Sequence, residues 1–191
     1  MRRGLQWAGL ALAATAALGG TADAMARTVS ATTSGVATAS VVAPITIVEL
    51  ADLDFGLITG GNGGDGTATI APFAATVSFA GSARSGCSSA DRCVSSHPAR
   101  FAISGEPARS YIVSLPATLT VAPESARPAG AAPLNVTGFT VRADGQSGID
   151  GHGRLDSTGQ GHFQVGATLL VPSGTAPGRY RTSLPIIVTY G

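Results

Sequence analysis

Lysine is absent from this chain: all 12 basic residues are arginine, set against 11 acidic ones. Charged residues make up 12% of the sequence and aromatic residues only 5%. With so little charge and no excess of either sign, the chain lacks the basic stripe that nucleic acid requires and the cationic cluster that anionic membrane attracts. Long apolar runs are missing too. The longest, Leu5 to Leu18, falls short of the roughly 20 residues that cross a bilayer, so no membrane span is expected. The only two cysteines, Cys87 and Cys93, form no C-x-x-C pair and have no further ligands beside them, which argues against a metal or redox centre. Sparse charge also leaves little material for amphipathic helices, and no segment reads as one.

What is present begins with a leader. Arg2 and Arg3 precede the apolar run, and Ala22-Asp23-Ala24 follows as a small-x-small cleavage site, the pattern of a secretory signal peptide. Cleavage is expected after Ala24, with Ala24-Met25-Ala26 as a second site two residues on. Removing residues 1–24 takes away two arginines and one aspartate, leaving the mature chain formally neutral. The expected organisation is a signal peptide over 1–24, an N-terminal extension or first strand over 25–40, and a β-sandwich domain over 41–191. Export makes a disulfide between Cys87 and Cys93 the natural reading. So short a loop gains about 2 kcal/mol by the chain-entropy argument, enough to pin a turn and not to hold a fold.

Ala, Gly, Ser, Thr and Val dominate the body, and strands are written into it at short intervals. Val41 to Leu50, Thr67 to Phe79 with a break at Pro72, Phe101 with Ile103, Tyr111 to Leu115, Leu119 with Val121, Leu134 to Ala143 and His162 to Val171 each alternate or are bounded by Gly, Pro or Ser. Gly138 interrupts the alternation of its segment and predicts a bulge. Asp144 to Gly153 reads as a Gly-rich surface loop. Roughly seven to nine strands of this kind predict an all-β antiparallel sandwich with one core.

No pattern recommends catalysis. The Gly60 to Thr67 stretch resembles a calcium nonapeptide, but it occurs once and places Thr67 where a large apolar residue belongs. Asp144, Asp150 and Asp156 lack EF-hand spacing, and His97, His152 and His162 lack ligand spacing. There is no Gly-x-Ser-x-Gly elbow, and Glu49, Glu106 and Glu124 sit at strand ends or beside prolines. The reading is a protein that is not an enzyme and needs no cofactor.

The C-terminus carries the sharpest signal. Gly178 to Gly191 reads as one long strand, with Tyr180, Thr182, Leu184, Ile186, Val188 and Tyr190 on the buried face and Arg179, Arg181, Ser183 and Thr189 opposite. Pro185 cannot donate to a ladder and predicts a sheet edge. At the other end, Thr28 to Ser40 alternates polar residues with small apolar ones.

Leu53-Asp54-Phe55-Gly56, Gly66 to Ile70, Phe101 to Gly105, Tyr111 to Pro116, Val165 to Leu169, Gly178-x-Tyr180 and Val188-x-Tyr190 together resemble an uncharacterised family of secreted bacterial domains of unknown function. The resemblance runs from about Val41 to Tyr190. That family is in turn similar to the spore coat protein U domain and to the pilin subunits of chaperone–usher fimbriae, immunoglobulin-like sandwiches that lack a last strand. The resemblance implies that a periplasmic chaperone, and then the N-terminal extension of another copy or related subunit, fills the gap by strand addition. Carried onto this chain, the acceptor edge would be Gly178, Tyr180, Leu184, Ile186, Val188 and Tyr190. The donor would be Val29, Ala31, Thr33, Gly35, Ala37 and Ala39. These readings give an exported subunit of a pilus-like or coat-like assembly, placed in the periplasm, on the cell surface or outside the cell. The alternative is a self-complete monomeric binding module whose N-terminal stretch closes its own sandwich.

Overall fold

A computed structural model describes residues 30–60, 63–74, 76–87, 96–124 and 131–191. The chain divides into two units, Met1–Ala39 and Ser40–Gly191. Of the first, residues 30–39 are described; they are exposed and lie in no strand or helix. Ala24, Val29 and Cys93 lie outside the described residues, so the cleavage site, the first donor position and the disulfide are not described.

The described residues contain no helix and thirteen strands: β1 (Thr46–Ala51), β2 (Ile58–Thr59), β3 (Gly66–Ile70), β4 (Ser78–Gly81), β5 (Arg84–Ser85), β6 (Ala99–Ser104), β7 (Ser110–Ser114), β8 (Thr118–Pro123), β9 (Leu134–Ala143), β10 (His152–Arg154), β11 (Gln160–Val171), β12 (Tyr180–Arg181) and β13 (Ile187–Tyr190). Nine of them have four residues or more, matching the expected number; β2, β5, β10 and β12 are short additions. The larger sheet runs β1-β6-β11-β9-β8-β12, with β3 beside β11 and β4 beside β3. The smaller is β10-β7-β13, and β2 and β5 form a separate pair. All strand pairs are antiparallel. This is an all-β sandwich.

The longest strand, β11, organises the core. Phe163, Val165, Ala167, Leu169 and Val171 are buried at alternate positions, as a pleated strand packed on one face requires. One edge of β11 pairs with β9; the other is shared between β6, opposite residues 160–165, and β3, opposite 167–171. The buried side chains form two clusters along it. In the first, Phe163 stacks on its cross-strand partner Phe101 at 5.1 Å and meets Tyr111 of the smaller sheet at 6.5 Å. In the second, Val121, Leu134, Val136, Ala167, Leu169 and Val171 are covered by Leu53, Phe55, Ile58, Val77 and Phe79.

The bulge predicted at Gly138 is present. Residues 138 and 139 of β9 together stand opposite the single residue 167, and Gly138 has φ of 60°, a left-handed conformation that glycine adopts without a Cβ clash. The bulge shifts the buried face of β9 from Leu134 and Val136 to Val141 and Ala143. Without it, half of the strand would present its polar residues to the core.

Three expectations are corrected. The strand expected over Val41 to Leu50 starts only at Thr46, because Pro44 lacks an N–H and disfavours regular pairing around it. The Gly-rich loop expected over Asp144 to Gly153 ends in β10, with Gly153 paired opposite Tyr111. The single terminal strand is two, β12 and β13, belonging to different sheets.

Burial pushes the Tyr111 phenol up to about 12, with the Asp144 carboxylate adding to the effect. A phenol whose folded pKa lies above its unfolded value of about 10 favours the fold fully below that pH and loses the contribution as pH climbs towards the folded value. Denaturation midpoints should therefore be flat with respect to this group below about pH 10 and fall between about pH 10 and 12. Tyr111→Phe should remove that part of the alkaline decline, which paired urea titrations of the two proteins would measure.

Candidate functional site

The C-terminal segment keeps its alternation although its ladder is interrupted. Tyr180, Leu184, Ile186, Val188 and Tyr190 are half-buried, whereas Arg179, Arg181, Ser183, Pro185, Ile187 and Thr189 are exposed. Thr182, expected on the buried face, is exposed, and so is Gly178. Tyr180 packs on the second cluster; Leu184, Ile186, Val188 and Tyr190 pack on the first, beside Ile45, Leu53, Leu115 and Phe139.

Each part of the segment is held from one side. β12 pairs with the end of β8, Tyr180 opposite Pro123 and Arg181 opposite Ala122. Arg179 and Arg181 approach the Glu124 carboxylate at 3.7 and 3.8 Å, exposed pairs of small energetic weight. β13 pairs with β7, Val188 opposite Val113 and Tyr190 opposite Tyr111. Residues 182–186 belong to no strand, and β12 and β13 are each the last strand of their sheet. The segment therefore offers an outer backbone edge with apolar side chains at alternate positions half sunk in the core. Strand addition requires those two features.

Tyr190 closes one end of this edge. Its hydroxyl donates to the Ala43 carbonyl at 2.7 Å and accepts the Glu106 N–H at 2.6 Å, while Ala43 N–H donates to Glu106 Oε2 at 2.9 Å. The Arg109 guanidinium lies 5.6 Å from the centre of the Tyr190 ring. The loop that presents Glu106 is itself braced. Gly105 N–H donates to the Gly159 carbonyl, Ala108 N–H to that of Asp156 and Leu155 N–H to that of Arg109. Asp156 anchors the bracing turn: its carboxylate accepts the N–H groups of Gln160 and Thr158 and the Thr158 hydroxyl. Those bonds, that from Gln160 foremost, hold its pKa below the usual carboxylate value. Their support for the turn is present above the unfolded pKa and lost as pH falls through the folded one.

A second free edge is β1, the opposite end of the larger sheet. Ile47, Val48 and Leu50 are exposed there by 36%, 61% and 50%, so this edge is apolar on both faces, and Glu49 is its single charge.

Two clefts lie among the described residues, the first of them beside β7, the strand to which β13 is paired. One of about 350 Å³ is lined by Val113, Leu115, Phe139, Ile149 and Asp150. Another of about 340 Å³ is lined by Gly66, Thr67, Gly81, Leu170 and Pro172. Both sit at the small end of ligand-site volumes. Among the described residues no three His, Cys, Asp or Glu side chains group to hold a metal. His97, half-buried, faces Asp52 at 3.8 Å, and the exposed His162 faces Asp144 at 3.3 Å. Among the described residues no helix is long and apolar enough to cross a membrane.

Little of this lock is legible in the sequence. Glu106 stands beside Pro107 with nothing local to mark it, and Ala43 is a small residue in a loop. Only the penultimate tyrosine carried a signal.

Neither the curated proteins nor the solved structures contain a match to this chain. A family model does match, over residues 45–190, from just before β1 to the end of β13. The chain belongs to the family described as domain of unknown function DUF4402.

Proposed function

We propose that the protein is an exported, non-enzymatic structural subunit of a pilus-like or coat-like surface assembly, joined to its neighbours by β-strand complementation. The observation that carries this reading is the C-terminal edge, where Leu184, Ile186 and Val188 are half sunk in the core beside backbone that belongs to a ladder on one side or to none. A strand laid along that edge would complete the ladder and cover the half-exposed side chains together. The donor is the N-terminal extension of another copy or a related subunit, with Ala31, Thr33, Gly35, Ala37 and Ala39 at alternate positions. Before assembly a periplasmic chaperone occupies the same edge. The arginine-led leader directs export, and a Cys87–Cys93 bridge suits the oxidising compartment.

Deleting residues 25–34 should abolish polymerisation and leave a soluble, cooperatively folding monomer, as read by sedimentation and thermal unfolding. If the truncated chain no longer folds, the extension is part of its own sandwich and the reading fails. The second reading, a self-complete monomeric binding module, draws on the cleft beside Phe139 and Asp150. It requires a stable monomer whose amides over residues 31–39 are protected from hydrogen exchange.

A further inference from the structure

Ala43 is gripped on both of its backbone groups by side chains. Its N–H is bound by the Glu106 carboxylate, its C=O by the Tyr190 hydroxyl, and the Glu106 N–H closes the ring by donating to that hydroxyl. Pro44 follows and restricts the conformation of Ala43 further. Thr46, the first residue of β1, stands opposite Ser104, the last of β6, and Tyr190 stands opposite Tyr111 near the start of β7. Ala43 thus lies at the end of the sandwich where β13 finishes.

We propose that the Ala43–Glu106–Tyr190 ring is a root clamp that selects the partner for the C-terminal edge: it denies the stretch 31–39 an antiparallel fit to its own molecule and leaves that fit to a second copy. The inference rests on the complementation reading above.

The argument is one of reach. A stretch that ends at Ala43, beside Tyr190, can run back along its own β13 only with both strands pointing towards Tyr190, which is parallel pairing. To pair antiparallel over 182–190 it would have to finish at the Thr182 end, about 27 Å from Tyr190 at ~3.4 Å per residue. Residues 40–42 would then have to return to the clamp, and they span only about 10 Å. A stretch from another molecule has no such tether. Antiparallel ladders are also slightly the more stable per residue, so the clamp turns a matter of geometry into a preference for a partner.

The test uses the full mature chain, prepared in isotopically light and heavy forms and mixed before assembly. A photocrosslinking amino acid replaces either Ala31 or Ala39, and the linked peptides are mapped by mass spectrometry. The probe at 31 should capture residues 187–190 of the differently labelled copy, and the probe at 39 should capture residues 180–184 of that copy. Same-copy capture of any part of residues 180–190 by the probe at 31, which lies far from the tether, would overturn the inference while leaving complementation in place. Capture of nothing within 180–190 by either probe would instead remove the acceptor edge itself. In Tyr190→Phe combined with Glu106→Gln, the ratio of cross-copy to same-copy links should fall roughly tenfold as the tether loosens. An unchanged ratio would show that the clamp does not select. Tyr190→Phe alone, which removes the hydroxyl and keeps the aromatic side chain, serves if the double variant does not fold.

Discussion

Phe163→Ala should destabilise the sandwich by about 3–5 kcal/mol and lower its melting temperature by roughly 6–20 °C, at ~2–4 °C per kcal/mol for a domain of this size. Phe163 is fully buried at the middle of the first cluster, stacked 5.1 Å from Phe101 and 6.5 Å from Tyr111. The loss combines the transfer energy of the ring with a cavity that rigid neighbours on two sheets cannot close. With six phenylalanines, three tyrosines and one tryptophan in the whole chain, no spare aromatic stands ready to fill it. Against a total stability of about 5–15 kcal/mol, the variant should fold poorly at physiological temperature. Phe73→Ala is the matched control. Phe73 is 62% exposed, with the Arg142 guanidinium 4.9 Å from its ring centre, a contact worth about 0.5–1 kcal/mol at such a site. If calorimetry finds the two variants equally stable, the placement of the core is wrong.

Gly153→Ala should cost about 3 kcal/mol, through overpacking and not through a void. A Cβ at residue 153 would overlap ring atoms of Tyr111, its cross-strand partner in the smaller sheet. The ring is buried, with the Phe163 ring 6.5 Å away, and has little room to withdraw. The clash is pairwise, so it should vanish when the ring does. Gly153→Ala combined with Tyr111→Leu should lose clearly less stability than the sum of the two single changes, a coupling that a double-mutant cycle measures directly. Additivity would mean that Gly153 is required for some other reason.

Gly153 also shows where sequence pattern fails. It lies in a run of glycines and polar residues that has every local mark of a loop, and its neighbours alternate no hydrophobicity. The strand exists because Tyr111 needs a partner without a side chain, and that requirement is set by a residue 42 positions away. Gly138 is the opposite case. There the change of buried parity from Val136 to Val141 is written in the sequence, and a bulge is the one local device that reconciles it.

The C-terminal segment falls between these cases. Alternation alone placed Leu184, Ile186 and Val188 on the inner face, and they are half-buried there. Alternation is blind to which strand lies alongside. It read one strand where the chain pairs first with β8 in one sheet and then with β7 in the other, with Pro185 in the stretch between them. The β1 edge was misjudged at its start for the same kind of reason. Apolar character continues from Val41, but the backbone of Ala43 is claimed by side chains of Glu106 and Tyr190 before it can enter a ladder.

By itself, then, the sequence determined the class of fold, most of the strands, the inward face of each and the bulge, because a period of two and the exclusion of a Cβ or an N–H act between near neighbours. The tertiary structure alone decided which edges are left free, that the terminal segment is shared between two sheets, that Gly153 is a strand residue and that Tyr190 holds the root of the N-terminal stretch. Each of these joins residues distant in the chain, and contacts of that kind are fixed by packing, on which the local pattern is silent.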